Sequence, residues 1–151
     1  MNEPIKCLSI RQPWAEMILH HNKSAENRTW NTGYRGPLVI HAGKARASRD
    51  DVQTIRDMFD IEVDRDKLTY GAFVGVVELY DVAEPGAYAG LWHDTDCYGF
   101  KLRHAFPFTH GIAGQGRLGL FTPPDNVLDL TRRIVAHALS SRLWGPSQGN
   151  L

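Results

Sequence analysis

Residues 8–44 read LSIRQPWAEMILHHNKSAENRTWNTGYRGPLVIHAGK. This one stretch holds Gln12, Trp14, Lys23, Glu26, Arg28, Trp30, Thr32, Arg35, His41 and Lys44. Between them, these side chains hydrogen-bond, stack on flat rings and neutralise anions. The apolar residues among them still keep a folding rhythm. Residues 6–10 read as a short strand. Pro13 suits a first helical turn, and Trp14, Met17, Ile18 and His21 recur at helical spacing as far as about Asn22. Residues 24–30 read as a second strand, and Asn31-Thr32-Gly33 as a turn. In 38–42, Leu38, Ile40 and Ala42 alternate onto one side. Polar groups this dense around short regular elements mark a candidate site.

Beyond this stretch, Ser48 caps a second helix with Asp50 and Asp51 in its first turn and Val52, Ile55 and Phe59 as its stripe. Residues 71–82 are the strongest strand, with Val74 and Val76 facing one way and Phe73, Val77 and Leu79 the other. Residues 84–96 form a loop and 98–106 a further strand. The glycines of 111–119 shape turns and lead into a short strand at 118–121. Pro123-Pro124-Asp125-Asn126 opens a last helix bearing Val127, Leu130, Ile134, Ala138 and Leu143, and residues 145–150 read as a frayed end. Several short strands with few helices predict an α+β protein, a small mixed β-barrel with flanking helices.

At 151 residues the chain fits one domain able to bury a core without staples. It has no apolar run near the roughly 18 residues of a membrane span, and its start, interrupted by Pro4, Lys6 and Arg11, is not a signal peptide. Cys7 and Cys97 stand apart with no CxxC partner, so reduced thiols and a cytoplasmic setting are expected. The net charge of zero hides an asymmetry. Residues 1–49 carry eight Lys/Arg against three Asp/Glu, a balance of +5. Residues 50–96 stand at −9 and residues 97–151 at +4. If the chain ends meet, one face is basic and attracts a polyanion; if the charges intermix, it does not.

Lys23, Glu26 and Arg28 form K-x-x-E-x-R. On a strand, Glu26, Arg28 and Trp30 alternate onto one face, with Lys23 at its entry. Such a row recognises a base: Glu accepts from an exocyclic amine, Arg grips an acceptor or phosphate, and Trp stacks. It is equally an exposed strand laced by ion pairs worth at most about 1 kcal/mol each. Other candidates are weaker. His20 and His21 point apart on a helix. His93, Asp94 and Asp96 lack a fourth metal ligand at fixed spacing. Gly111, Gly114, Gly116 and Gly119 do not form a dinucleotide fingerprint, and Ser9 and Ser48 lack a GxSxG elbow. Trp92 and Trp144 read as core or lid. No cofactor and no metal are expected.

LSIRQPWA, then K-x-x-E-x-R-x-W-x-T over 23–32 and RG-x-L-x-I-x-A-x-K over 35–44, resemble the signature of the ASCH (activating-signal-cointegrator homology) domain. Y-G-x-x-x-G-x-V-x-L-x-D over 70–81, YGFKL at 98–102 and GQGRLGLF at 114–121 are similar to it too. The resemblance implies a PUA-like barrel over residues 5–122, with 123–151 as a C-terminal helical extension packed on the same domain. It also implies a cleft between the first helix and the barrel that holds Gln12, Trp14, Lys23, Glu26, Arg28, Trp30, Arg35 and Lys44, and binds RNA or a nucleotide-like small molecule.

One branch with this fold hydrolyses N4-acetylcytidine with a lysine, a threonine three residues on and a distant glutamate. Lys23 matches the lysine and Glu78 is a candidate for the distant carboxylate. Glu26, however, stands where the threonine hydroxyl is needed, which disfavours that activity. Three readings stay open. The first is a monomeric RNA- or nucleotide-binding module. The second is a metal-independent hydrolase of RNA or a modified nucleoside, with Lys23 and Glu26, and secondarily Tyr34 and His41, as its catalytic groups. The third is a protein-interaction module with the acidic second helix as its surface.

Overall fold

A computed structural model describes residues 4–144. The described strands are β1 (Lys6–Ile10), β2 (Ala25–Arg28), β3 (Gly36–Ala42), β4 (Ala72–Ala83), β5 (Tyr98–Ala113) and β6 (Leu120–Phe121). They form one mixed sheet in the order β2-β5-β4-β3-β1-β6, curled into a half-barrel. The pair β1 and β3 is parallel, with Ser9 opposite His41, and the other pairs are antiparallel. A parallel pair needs a crossover, and here that crossover is α1 (Trp14–His20) followed by β2. The other helices are α2 (Arg49–Phe59) and α3 (Asp125–Ser140). This is the α+β architecture expected from the strand pattern, in the PUA-like form that the resemblance implied.

Both faces of the sheet are covered. Leu8, Ile10, Leu38, Ile40, Val77, Leu79, Phe100 and Leu102 form one buried cluster with Ala15, Ile18 and Leu19 of α1. Cys7, Val39, Phe73 and Val76 form the other with Val127, Leu128 and Ala138 of α3 and with Trp144. Residues 38–42 are therefore buried throughout, since a strand covered on both faces has no solvated side to alternate onto. At Gly75 a Cβ would stand 2.6 Å from Leu19 Cδ2 and 2.9 Å from the Phe106 carbonyl oxygen, so α1 rests directly on the backbone of β4.

Bulges produce the curl and account for most departures from the expected pattern. The β4–β5 ladder shifts register between Phe73 and Gly75, between Val76 and Glu78, and between Leu79 and Asp81. The first shift puts Phe73 with Val76 instead of with Val77 and Leu79. A strand reading that stops at 106 misses the true end of β5 at Ala113, because Pro107 sits opposite Gly75 at the same bulge and does not end the ladder. The strand β2 ends at Arg28, so Trp30 does not share its face. The short β6 is only Leu120–Phe121, with Leu118 fully exposed. In α2 the Ser48 hydroxyl accepts the Asp51 N–H at 3.0 Å, as expected of its cap, yet only Ile55 of the stripe is buried. Leu143 is exposed, and the frayed end read at 145–150 lies outside the described residues.

Candidate ligand-binding site

Asn22, at φ +56°, turns the chain out of α1, and the Lys23 N–H closes that turn on the Met17 carbonyl at 3.0 Å. This delivers the Lys23 ammonium into the protein, where the residue is 4% exposed. It donates to the Ala25 carbonyl and to Glu26 Oε1 at 3.1 Å, and lies 5.8 Å from the centre of the Trp14 ring. Glu26, 8% exposed, accepts from Arg28 Nε through Oε2 at 3.2 Å. Arg28 Nη2 in turn donates to the Ser9 carbonyl at 3.0 Å. A buried charge persists only when paired and hydrogen-bonded. Here one carboxylate holds two cations, leaving one net positive charge along the row. No buried side-chain nitrogen or oxygen among the described residues lacks a partner, so the row is set before any ligand arrives.

On one side of this row lies a cavity of about 490 Å³. Trp14, Lys23, Glu26 and Asn27 form one wall, and Thr54, Met58 and Phe59 of α2 with residues 91–94 form the other. Phe59 and Trp92 stack, with centroids 3.7 Å apart and planes at 10°. Asn27 fixes that second wall: its Nδ2 donates to the Trp92 carbonyl at 3.0 Å and its Oδ1 accepts the Asp94 N–H at 2.8 Å. Met58 and Leu91 leave an exposed apolar lip. His93 is not free to ligate, because Nδ1 takes the Ala89 N–H and Nε2 donates to the Cys97 carbonyl. Desolvation, and after it the charges of Asp94 and Asp96, push the nearby Cys97 thiol up, and burial does the same to Cys7. Among the described residues no group of three or more His, Cys, Asp or Glu is placed to hold a metal.

On the other side lies a cleft of about 430 Å³ lined by Ser9, Arg28, His41, Lys44, Gly116 and Arg117, among others. Basic residues of the first and last thirds of the chain meet here, and no acidic side chain lines the space. The Ser9 hydroxyl is 2.9 Å from His41 Nδ1, and His41 Nε2 is 2.8 Å from the Gly114 carbonyl oxygen. A carbonyl only accepts, so hydrogen bonding assigns the ring proton to Nε2 and leaves Nδ1 to accept from the serine.

The single cleft expected from the sequence thus resolves into two that share the Glu26–Arg28 pair. Trp14, Lys23 and Glu26 reach the first, and Arg28, His41 and Lys44 the second. Gln12 lines neither. Its Nε2 donates to the Thr69 carbonyl and its Oε1 accepts the Glu16 N–H, tying the start of α1 to residues 67–71. Trp30 sets its edge against Phe100 at 5.3 Å. Arg35 donates to the Thr32 and Tyr34 carbonyls and faces Asp81 at 3.8 Å. The Tyr34 hydroxyl donates to the Pro37 carbonyl. Glu78 pairs with Arg103 at 2.8 Å and with His104 at 3.0 Å, away from Lys23, and that bond holds the Arg103 guanidinium above its ordinary range. Asn27, Phe59 and Arg117 escape a sequence reading because each joins the site through contacts between distant segments. Trp92 stacks on Phe59 in the wall of the first cavity, and Trp144 is a core residue, one of the two roles open to it in the sequence.

The family model described as the ASCH domain matches residues 8–103. Activating signal cointegrator 1 of Homo sapiens is 33% identical to this chain over 81 residues, and its Mus musculus counterpart 35% identical over 81 residues. Each match takes in 50% of this chain but only 14% of the relative's own length. No described helix is long and apolar enough to cross a membrane.

Proposed function

The chain belongs to the ASCH domain family, and from that premise we propose that it is a binding module for RNA or a nucleotide-like ligand. One observation carries the reading: the buried Lys23–Glu26–Arg28 row runs between an aromatic-walled cavity and a cation-lined cleft. A nucleotide has a flat ring bearing donors at one end and a phosphate at the other. Trp14 with the Phe59–Trp92 stack suits the ring, and base–aromatic stacking is worth about 1–3 kcal/mol per base. Each Glu26 oxygen retains a lone pair beyond its bond to Lys23 or Arg28, so the carboxylate still accepts from an exocyclic amine. Arg28, Lys44 and Arg117 suit the phosphate, while Gln12 and Arg35 hold the surrounding backbone and Trp30 packs on Phe100. In this reading residues 5–122 carry the module and 123–151 extend it, in a cytoplasmic, monomeric protein with both thiols reduced.

Fluorescence anisotropy with a short single-stranded RNA at several salt concentrations tests it. Log affinity is expected to fall with log salt at roughly −0.7 per neutralised phosphate. Lys44→Ala and Arg117→Ala should each flatten that slope by about one such increment. Trp92→Ala should weaken binding at every salt concentration by about the same factor, since stacking releases no counterions. Absence of binding at low salt would exclude RNA as a polymer and leave a nucleotide-sized ligand or a protein partner.

A further inference from the structure

We propose that Ser9 and His41 are the nucleophile and general base of a hydrolytic site in the cation-lined cleft, acting on an acyl donor that carries a phosphate group. The inference goes beyond RNA binding, because Ser9 and His41 are idle in the nucleotide reading, while the phosphate-binding cations Arg28, Lys44 and Arg117 are shared with it.

A nucleophilic serine needs a base within hydrogen-bond reach and a third group that orients the base. Both are present. Ser9 Oγ lies 2.9 Å from His41 Nδ1, and the Gly114 carbonyl, 2.8 Å from Nε2, fixes the tautomer in which Nδ1 takes the serine proton. It occupies the place a carboxylate holds in Ser-His-Asp hydrolases. His41 is 2% exposed and its ring meets Phe73 edge-on at 4.9 Å, so it cannot swing away. Ser9 and His41 both line the cleft, and the backbone of Gly116 packs closely against the pair. A Cβ there would stand 2.6 Å from Ser9 Oγ and 2.7 Å from His41 Nδ1, so any other residue would cover the hydroxyl. The substrate class follows from the rest of the lining: Arg28, Lys44 and Arg117 with no acid favour a phosphate beside the reacting carbonyl.

The step balances without a further reactant except water. Ser9 Oγ bonds to the acyl carbon as His41 Nδ1 takes the hydroxyl proton. The bond from that carbon to the leaving oxygen then breaks, and the proton passes from His41 to the departing phosphate or alcohol. Water next attacks the acyl-serine, giving its proton to His41. The carboxylic acid departs and the proton returns to Ser9.

Acetyl phosphate is the probe. Full-length protein should release inorganic phosphate above the uncatalysed rate, and peptide mass spectrometry of quenched samples should find acetyl on Ser9. Ser9→Ala should lower the rate by about 100-fold, the scale on which such groups contribute. Gly116→Ala should lower it similarly while the far-UV spectrum and melting temperature show a folded protein. Lys44→Ala and Arg117→Ala should raise KM more than they lower kcat. Acetyl groups found only on lysines, with phosphate release unchanged in Ser9→Ala, would overturn the proposal. Because RNA affinity is read separately, failure here leaves the nucleotide reading standing, and failure of RNA binding leaves this one.

Discussion

At Glu26 one carboxylate meets Lys23 through one oxygen and Arg28 through the other, and all three side chains are wholly or largely withdrawn from water. Removing it would strand the Lys23 ammonium, 3% exposed as a side chain, against the Ala25 carbonyl alone. Glu26→Ala should therefore cost about 3 kcal/mol, the scale for breaking a buried pair from one side, far above a surface ion pair. Urea unfolding measures it, and a loss below about 1 kcal/mol would mean that Lys23 finds water instead. The pairing was readable in advance, because period-two alternation puts Glu26 and Arg28 on one face with Lys23 at the entry. Gln12 and Arg35 could not be read in the same way. A polar side chain bonded to backbone and one held ready for a ligand are identical as letters. Only the partners, Thr69 and Glu16 for Gln12, separate them.

Between elements, α1 lies directly on β4, where Gly75 faces Leu19. A methyl group at Gly75 would meet both the leucine and the Phe106 backbone, and backbone cannot swing aside as a side chain can. Gly75→Ala should destabilise by about 1–3 kcal/mol through overpacking. It should also shift Trp14, the first residue of the same helix and a wall of the aromatic cavity, which would appear as a change in tryptophan emission. Stability within about 0.5 kcal/mol of the parent would show that α1 can lift without cost. Strand existence was legible from apolar runs and turn residues, as at β1 and β4. What lay beyond reach was phase. A bulge inserts one residue and reverses every later in-or-out assignment, and its position is set by strand neighbours such as Pro107 opposite Gly75.

Across the whole molecule, α3 covers the sheet face carrying Cys7, Val39, Phe73 and Val76, so the last helix and the strands share one buried cluster. Leu128→Ala should lower the stability of the entire chain by about 2 kcal/mol or more. It should do so in one cooperative calorimetric transition. An early separate transition for α3 would overturn the shared-core reading and make the helix a detachable flank. The charge blocks along the chain also acquire a place, since Arg28 and Lys44 from the first third meet Arg117 from the last, while Asp66 pairs outward with Arg46, which holds its carboxyl below the usual range. Net charge alone concealed this meeting. One consequence concerns communication between the two hollows. The Arg28 guanidinium touches Glu26 on one flank and the Ser9 backbone on the other, so an occupant of either space acts on a group that the other also uses. An occupant that draws Arg28 toward itself alters the affinity of the neighbouring space, and thermodynamic reciprocity makes the effect equal in the opposite direction. The two chambers then behave as a linked pair, with a single side chain as the coupling element.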